Sequence, residues 1–236
     1  MRHTYCESDS VQNISIIKKV RLLLLILWCP VILVGCDRDK DEEPDGQFTG
    51  SIQSIEGFLT PELADIMTEL GMEFNTGNTP PNIEGAYLTI PILEATNVSH
   101  DVIGSSFSNS VLKFEEQNNM GLSVKFSYTS TEESGEGTGA LIAGKDNLFS
   151  VLLKVSGENH NSPAETAMVI SGRLVPQGIE NFQWAVFMLE NYGSPHIIKN
   201  GQGRILVDKN NLAVKTTANG KLKLDESGNS KTMMAK

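Results

Sequence analysis

A chain of 236 residues, 39% hydrophobic and 20% charged, has the proportions of one globular domain of moderate size. Its formal net charge is −10, and residues 36–236 alone carry 15 basic against 27 acidic residues, a net of −12. That balance disfavours nucleic acid, whose phosphates want a Lys/Arg patch, and gives no support to adsorption on anionic lipid.

The first element is a leader. Lys18, Lys19 and Arg21 precede an uncharged, mostly apolar run from Leu22 to Gly35. Basic, then apolar, then small is the order of a secretory signal. The run is shorter than the ~20 residues a helix needs to cross the hydrocarbon core, and Pro30 weakens a long straight helix. It ends in Leu33-Val34-Gly35-Cys36, which resembles the bacterial lipobox. The resemblance implies that signal peptidase II cuts between Gly35 and Cys36 and that Cys36 becomes the lipidated N-terminus. Acyl chains such as palmitate then hold the protein to a membrane by about 0.8 kcal/mol per buried CH₂. Residues 1–35 are thus expected to be a signal peptide. The three cysteines are Cys6, Cys29 and Cys36, so the chain beyond the lipobox holds no thiol for a disulfide, a zinc site or nucleophilic attack.

Residues 36–52 read as a flexible acidic tether. Asp37, Asp39, Asp41, Glu42, Glu43 and Asp45, closed by Pro44 and Gly46, cannot bury enough apolar area to fold. The run Lys40-Asp41-Glu42-Glu43 resembles the acidic surface-export signal of Bacteroidetes lipoproteins. It implies an outer-membrane lipoprotein displayed at the cell surface, with the periplasmic face as the other placement.

Residues 53–82 read as a short helix and a loop. In "TPELADIMTELG", Thr60 suits a cap, Pro61 the first helical position and Gly71 the stop, while Leu63, Ile66, Met67 and Leu70 form one apolar face. That face is expected to plug or flank a sheet. From residue 83 to 215 the period becomes two. In "LSVKFSYT", Leu122, Val124, Phe126 and Tyr128 alternate with polar residues, and Phe149, Val151, Leu153 and Val155 share a face in the next clear case. Phe182, Trp184, Val186 and Met188 do the same in "NFQWAVFMLE", and Gly172 marks a bend or bulge. "GRILVD" is the last strand expected. About eight strands with turn signals between them predict a mainly β fold: an antiparallel up-and-down β-barrel, or else a sandwich. Residues 216–236 are polar and read as a disordered tail.

"TPPNIEGAYL", "FEEQN", "ISG", "GIENFQ" and "GQGR", spread over Gly71–Asp208, resemble Bacteroidetes lipoproteins with a lipocalin-like barrel. The resemblance implies a barrel that holds a small apolar ligand; Phe182, Trp184, Val186 and Met188, placed on one inward face by alternation, are expected to line that cavity.

No motif carries catalysis or a cofactor. His100, His160 and His196 lie in loop contexts without ligand spacing, so no metal is expected. Glu115 and Glu116 are adjacent and face opposite ways on a strand. Glu132, Glu133 and Glu136 lack the spacing of a calcium loop. "GQGR" lacks the third glycine of a phosphate loop and leads into a strand. The expected function is a membrane-anchored envelope protein whose barrel binds a small apolar molecule, a glycan or a protein partner. The alternatives are a hydrolase of polymers and a structural subunit of an envelope complex.

Overall fold

The period-two segments become strands of one sheet that closes on itself. The computed structural model of the protein describes residues 47–131, 134–159 and 162–216. The signal peptide, the lipobox, the acidic run to Asp45, Glu132, Glu133, His160 and the tail from 217 lie outside the described residues.

The strands are β1 (Asn78–Thr79), β2 (Gly85–Thr89), β3 (Pro91–Thr96), β4 (Ser110–Asn118), β5 (Ser123–Thr129), β6 (Ser134–Lys145), β7 (Leu148–Asn159), β8 (Ser162–Val175), β9 (Gly178–Glu190), β10 (Gly203–Asp208) and β11 (Leu212–Thr216). From β4 to β9 each strand pairs antiparallel with the next. β2 pairs with β4, and β11 pairs with both β2 and β9, which closes an antiparallel barrel of eight strands. The architecture is the up-and-down, lipocalin-like barrel and not the sandwich.

Two of the eight staves are broken. One edge of β9 takes β10 along Gln183–Phe187 and β11 along Gly178–Glu180, so β10 and β11 are two halves of one stave. β2 and β3 are likewise two halves, pairing with β11 and β10 respectively. The break falls at Ile90 and at Lys209–Asn211, and one carboxylate spans it. Asp208 is buried. Its Oδ2 accepts from the Thr89 hydroxyl (3.0 Å) and the Ile90 N–H (2.7 Å), and its Oδ1 from the N–H groups of Asn210 (2.7 Å) and Leu212 (3.4 Å). Pro91, which has no N–H to give a ladder, opens β3, where a proline is tolerated.

Alternation sorts the side chains into two apolar layers. The interior layer holds Tyr87, Leu112, Phe114, Phe126, Phe149, Val151, Leu153, Ile170, Trp184 and Leu206, among others. The exterior layer holds Leu152, Val169, Ala185, Phe187 and Ile205 from the opposite strand faces. Two helices cover that exterior patch: α1 (Ile52–Leu59) and α2 (Pro61–Glu69). They bury Ile55, Leu59, Leu63, Ala64 and Met67 against it. The helical face therefore flanks the barrel and does not plug it.

α2 has the expected caps. Thr60 Oγ1 accepts from the Leu63 N–H (3.3 Å) with Pro61 in the first turn. Gly71 (φ +94°) allows Met72 N–H to reach back to the Met67 carbonyl at 2.9 Å, a stop that a residue in the left-handed region permits. α1 lies in a stretch where the sequence predicted tether and loop. It is capped by Ser51, whose hydroxyl accepts from the Ser54 N–H at 3.2 Å. Ordered backbone before α1 is held by close approach. Gly77 N–H donates to the Gly50 carbonyl (2.8 Å) and Gly144 N–H to the Gly77 carbonyl (2.9 Å), so three backbones touch where no side chain would fit.

Candidate functional site

The two ends of the barrel differ. At one end β6–β7 and β8–β9 are joined by tight turns, with Asp146 in the left-handed region at φ +59°. At the other end lie the long connections, residues 97–109 and 191–202. Val98 and Phe107 of the first, and Ile197 and Ile198 of the second, are buried in the interior apolar layer. These loops thus fold down over the mouth. They are tied together by Asn97, which donates from Nδ2 to the Gly201 carbonyl (2.9 Å) and accepts at Oδ1 from the Gly203 N–H (2.8 Å).

Inside, a chain of ring contacts crosses the barrel. Tyr87 meets Phe114 (centroids 6.0 Å apart), Phe114 meets Phe126 (5.3 Å), Phe126 meets Tyr128 (6.1 Å), and Tyr128 meets Trp184 edge-on (5.2 Å). Tilted and edge-to-face pairs suit the ring quadrupoles, and each buried ring adds roughly 2 kcal/mol through area removed from water. At one end of this chain Tyr87 is satisfied, donating its hydroxyl hydrogen to the Ile83 carbonyl at 3.0 Å, and burial lifts its pKa above the ordinary tyrosine value. At the other end Trp184 is not. Its Nε1 is buried and has no hydrogen-bond partner among the described residues, and the same holds for Ser108 Oγ. Ser108 lies in step with Ser110 and Leu112 on the way to the loop mouth, and its carbonyl accepts from the Ser110 hydroxyl (3.0 Å). A buried donor without an acceptor costs about 1–3 kcal/mol, so such an atom calls for a function.

All four residues of the expected ligand-lining face, Phe182, Trp184, Val186 and Met188, are fully buried in this interior layer. Sequence reasoning missed what lies one step nearer the mouth. Arg204 pairs with Val186 across β9–β10 and with Thr96 across β3–β10, so its side chain belongs to the inner face. It is buried, and its guanidinium holds Asp101 with two prongs: Nε to Oδ2 at 2.6 Å and Nη2 to Oδ1 at 2.8 Å. The Thr96 hydroxyl donates to the same Oδ2 at 2.9 Å, and the guanidinium carbon lies 5.9 Å from the centre of the Phe107 ring. The available signal was an arginine in register with the apolar face of "GRILVD". Its partner, 103 residues away, has none.

The remaining candidates do not converge. His100 and His196 sit in different loops, and no cluster of three metal-ligating side chains occurs among the described residues. Glu115 pairs with Lys113 (2.7 Å) and Glu116 with Lys125 (3.6 Å), all on the outer surface. Glu116 sits at φ +52° beside the β4–β5 register shift. An open cavity of about 520 Å³ lies there, lined by Glu84, Ala86, Lys113, Glu115, Glu116 and Thr216 among others. Its lining mixes both charges, Lys113 among Glu84, Glu115 and Glu116.

On the loop end, Tyr192 donates to Glu165 Oε1 (2.7 Å), and that carboxylate holds the tyrosine pKa up. Glu190 accepts from the Tyr192 N–H (2.8 Å) and from Asn200 Nδ2 (3.1 Å), which draws its pKa down. These contacts shape the 191–202 loop and provide no acid–base pair.

No protein-family model matches the chain, and neither a curated protein nor a solved structure is significantly similar to it.

Proposed function

We propose that this protein is a Bacteroidetes-type envelope lipoprotein, anchored through lipid on Cys36 and carried at the cell surface by its acidic tether. Its barrel binds one small, mainly apolar molecule in the interior. The observation that carries the binding part is Trp184: a fully buried indole N–H without a partner among the described residues, at the end of a ladder of aromatic rings and beneath a loop-covered mouth. Eight strands enclose a space that side chains fill or that one small ligand shares with them. Such sites are apolar with a few placed polar groups, and an indole N–H asks for a ligand with a hydrogen-bond acceptor. The anchor part rests on Leu33-Val34-Gly35-Cys36, and the surface part on Asp41, Glu42 and Glu43.

Two measurements test the reading. Cys36→Ala is expected to abolish incorporation of labelled palmitate; labelling that persists refutes the anchor. Trp28 lies in the leader, so Trp184 is the sole tryptophan of residues 36–236. Its emission is expected to be blue-shifted, inaccessible to iodide, and changed saturably by medium-chain apolar probes. Emission indifferent to every probe refutes the interior ligand.

A further inference from the structure

We infer that the interior site takes an uncharged ligand, held through one alcohol or carbonyl oxygen by the Ser108 hydroxyl and the Trp184 indole N–H, with its apolar part in the loop-side half of the barrel. The inference rests on the interior-binding reading above and names the head group and the half of the barrel that receives it.

The rings divide the interior. β5 and β9 stand four places apart in either direction round the closed ring of staves, so the contact of Tyr128 with Trp184 at 5.2 Å runs across the interior from wall to wall. On both strands the next inner residue towards the turn end is a buried phenylalanine, Phe126 on β5 and Phe182 on β9. Towards the loops, β9 continues with Val186 and Met188, and Met168 lies opposite Val186 on β8. Unbranched thioether side chains adapt to the shape of a neighbour where rings do not. The turn-side half is closed by aromatic packing, and the loop-side half is the one that adjusts to a guest.

Two open polar atoms border that half. Ser108 Oγ and Trp184 Nε1 are buried and have no hydrogen-bond partner among the described residues. Phe107, next to Ser108 in the chain, puts its ring 5.9 Å from the guanidinium carbon of Arg204, and Arg204 pairs with Val186, two residues on from Trp184. That short path sets both atoms beside one region of the interior. An indole N–H only donates, whereas a hydroxyl donates and accepts. One alcohol oxygen serves both: it accepts from Trp184 and gives its own hydrogen to Ser108 Oγ. A carbonyl oxygen serves both by accepting twice. Either way, two atoms that cost desolvation in the ligand-free chain become satisfied.

The charges of the inner face argue for a neutral head. Arg204 and Asp101 form a two-pronged pair at 2.6 and 2.8 Å, and both take part in further interactions. Asp208 accepts from four donors. These charges are therefore compensated within the chain itself. A ligand that brought an ion would bury it without a counter-ion of its own, and its tail would have to overcome that desolvation. An uncharged oxygen brings no such cost.

The test uses the full chain carrying Trp28→Phe, with isotope-labelled tryptophan, in phospholipid nanodiscs. Trp184 then gives the only indole N–H resonance of the chain. Octan-1-ol, octan-2-one, octanoate and octylammonium are titrated at about pH 8, where the acid is ionised and the amine protonated. The alcohol and the ketone are expected to move the resonance downfield saturably, and the two ions to bind about tenfold more weakly or worse at equal free concentration. Ser108→Ala is expected to weaken the alcohol by about fivefold or more, and to leave the urea midpoint of the ligand-free chain unchanged or raised, since its hydroxyl has no partner to lose. An ion that binds within about twofold of the alcohol, or more tightly, overturns the neutral head. Ser108→Ala that leaves the alcohol's affinity unchanged, lowers the urea midpoint or fails to fold overturns the assignment of Ser108 and makes its hydroxyl a structural group. In both of those cases the interior-binding reading stands. If no ligand moves the resonance in either chain, that reading fails and this inference falls with it.

Discussion

Asp208 spans the barrel's closing seam, and its removal has a calculable cost. Four donors converge on its carboxylate from both sides of the broken seam. In Asp208→Ala the Thr89 hydroxyl, buried, and the Ile90 N–H beside it lose their acceptor with little access to water. Asn210 is exposed and Leu212 half-buried, so their amides turn to solvent at small cost. Two stranded donors at about 1–3 kcal/mol each give a loss of about 4 kcal/mol. For a domain of this size that lowers Tm by about 10 °C. Asp208→Asn keeps one carbonyl oxygen, which serves Thr89 and Ile90 while its NH₂ faces the hydrated side, so its loss is expected at about 1–2 kcal/mol. Urea titration followed by Trp184 emission in a Trp28→Phe background measures both. An alanine variant within about 1 kcal/mol of the parent, or an asparagine variant as unstable as the alanine, refutes the assignment of the cost to the seam.

Gly77→Ala is expected to lower stability by about 2 kcal/mol or more. Its φ of +133° disfavours a side chain, and the added Cβ would sit 2.5 Å from the Gly144 carbonyl oxygen; differential scanning calorimetry reads the change. For the 191–202 loop the signs of the two pKa shifts set the pH window. Tyr192 is raised in the folded protein, so its contribution is complete below the ordinary tyrosine pKa and is lost as pH rises through the raised value; absorbance at about 295 nm should show late ionisation of Tyr87 and Tyr192, of which Tyr192→Phe removes one and leaves the other. Glu190 is lowered, so its contribution is present above the ordinary glutamate pKa and is lost as pH falls through the depressed value. Hydrogen exchange of the loop should rise there, and Glu190→Gln should abolish that acid-side change.

What could be read from the sequence was what short-range periodicity encodes. Strand β5 and the inward face Phe182, Trp184, Val186 and Met188 follow from alternation over seven or eight residues, and α2 from Thr60, Pro61 and Gly71. α1 escaped because it has eight residues with Gly57 among them, and because its buried side chains, Ile55 and Leu59, find their partner only once the exterior of the barrel exists. The split staves escaped for a related reason. Asp208 reads as the polar end of a strand until Thr89, 119 residues earlier, is beside it. Arg204 reads in the sequence only as the start of the strand "GRILVD" and as the end of a rejected phosphate loop; its register marks the inner face, but nothing local announces the carboxylate brought from another loop.

The closing seam also sets an order of events. The ladder from β4 to β9 consists of neighbours in sequence and can form hairpin by hairpin, but β2 finds its second neighbour only in β11, the last strand described. Until residues 212–216 have left the ribosome, β2 and the Gly178–Glu180 end of β9 keep an open edge, and the contact of Asp208 with the Leu212 N–H does not exist. A nascent chain at that stage has high contact order still ahead of it and no closed ring to hold it shut. The ring therefore acquires its lock only with the last of the described strands.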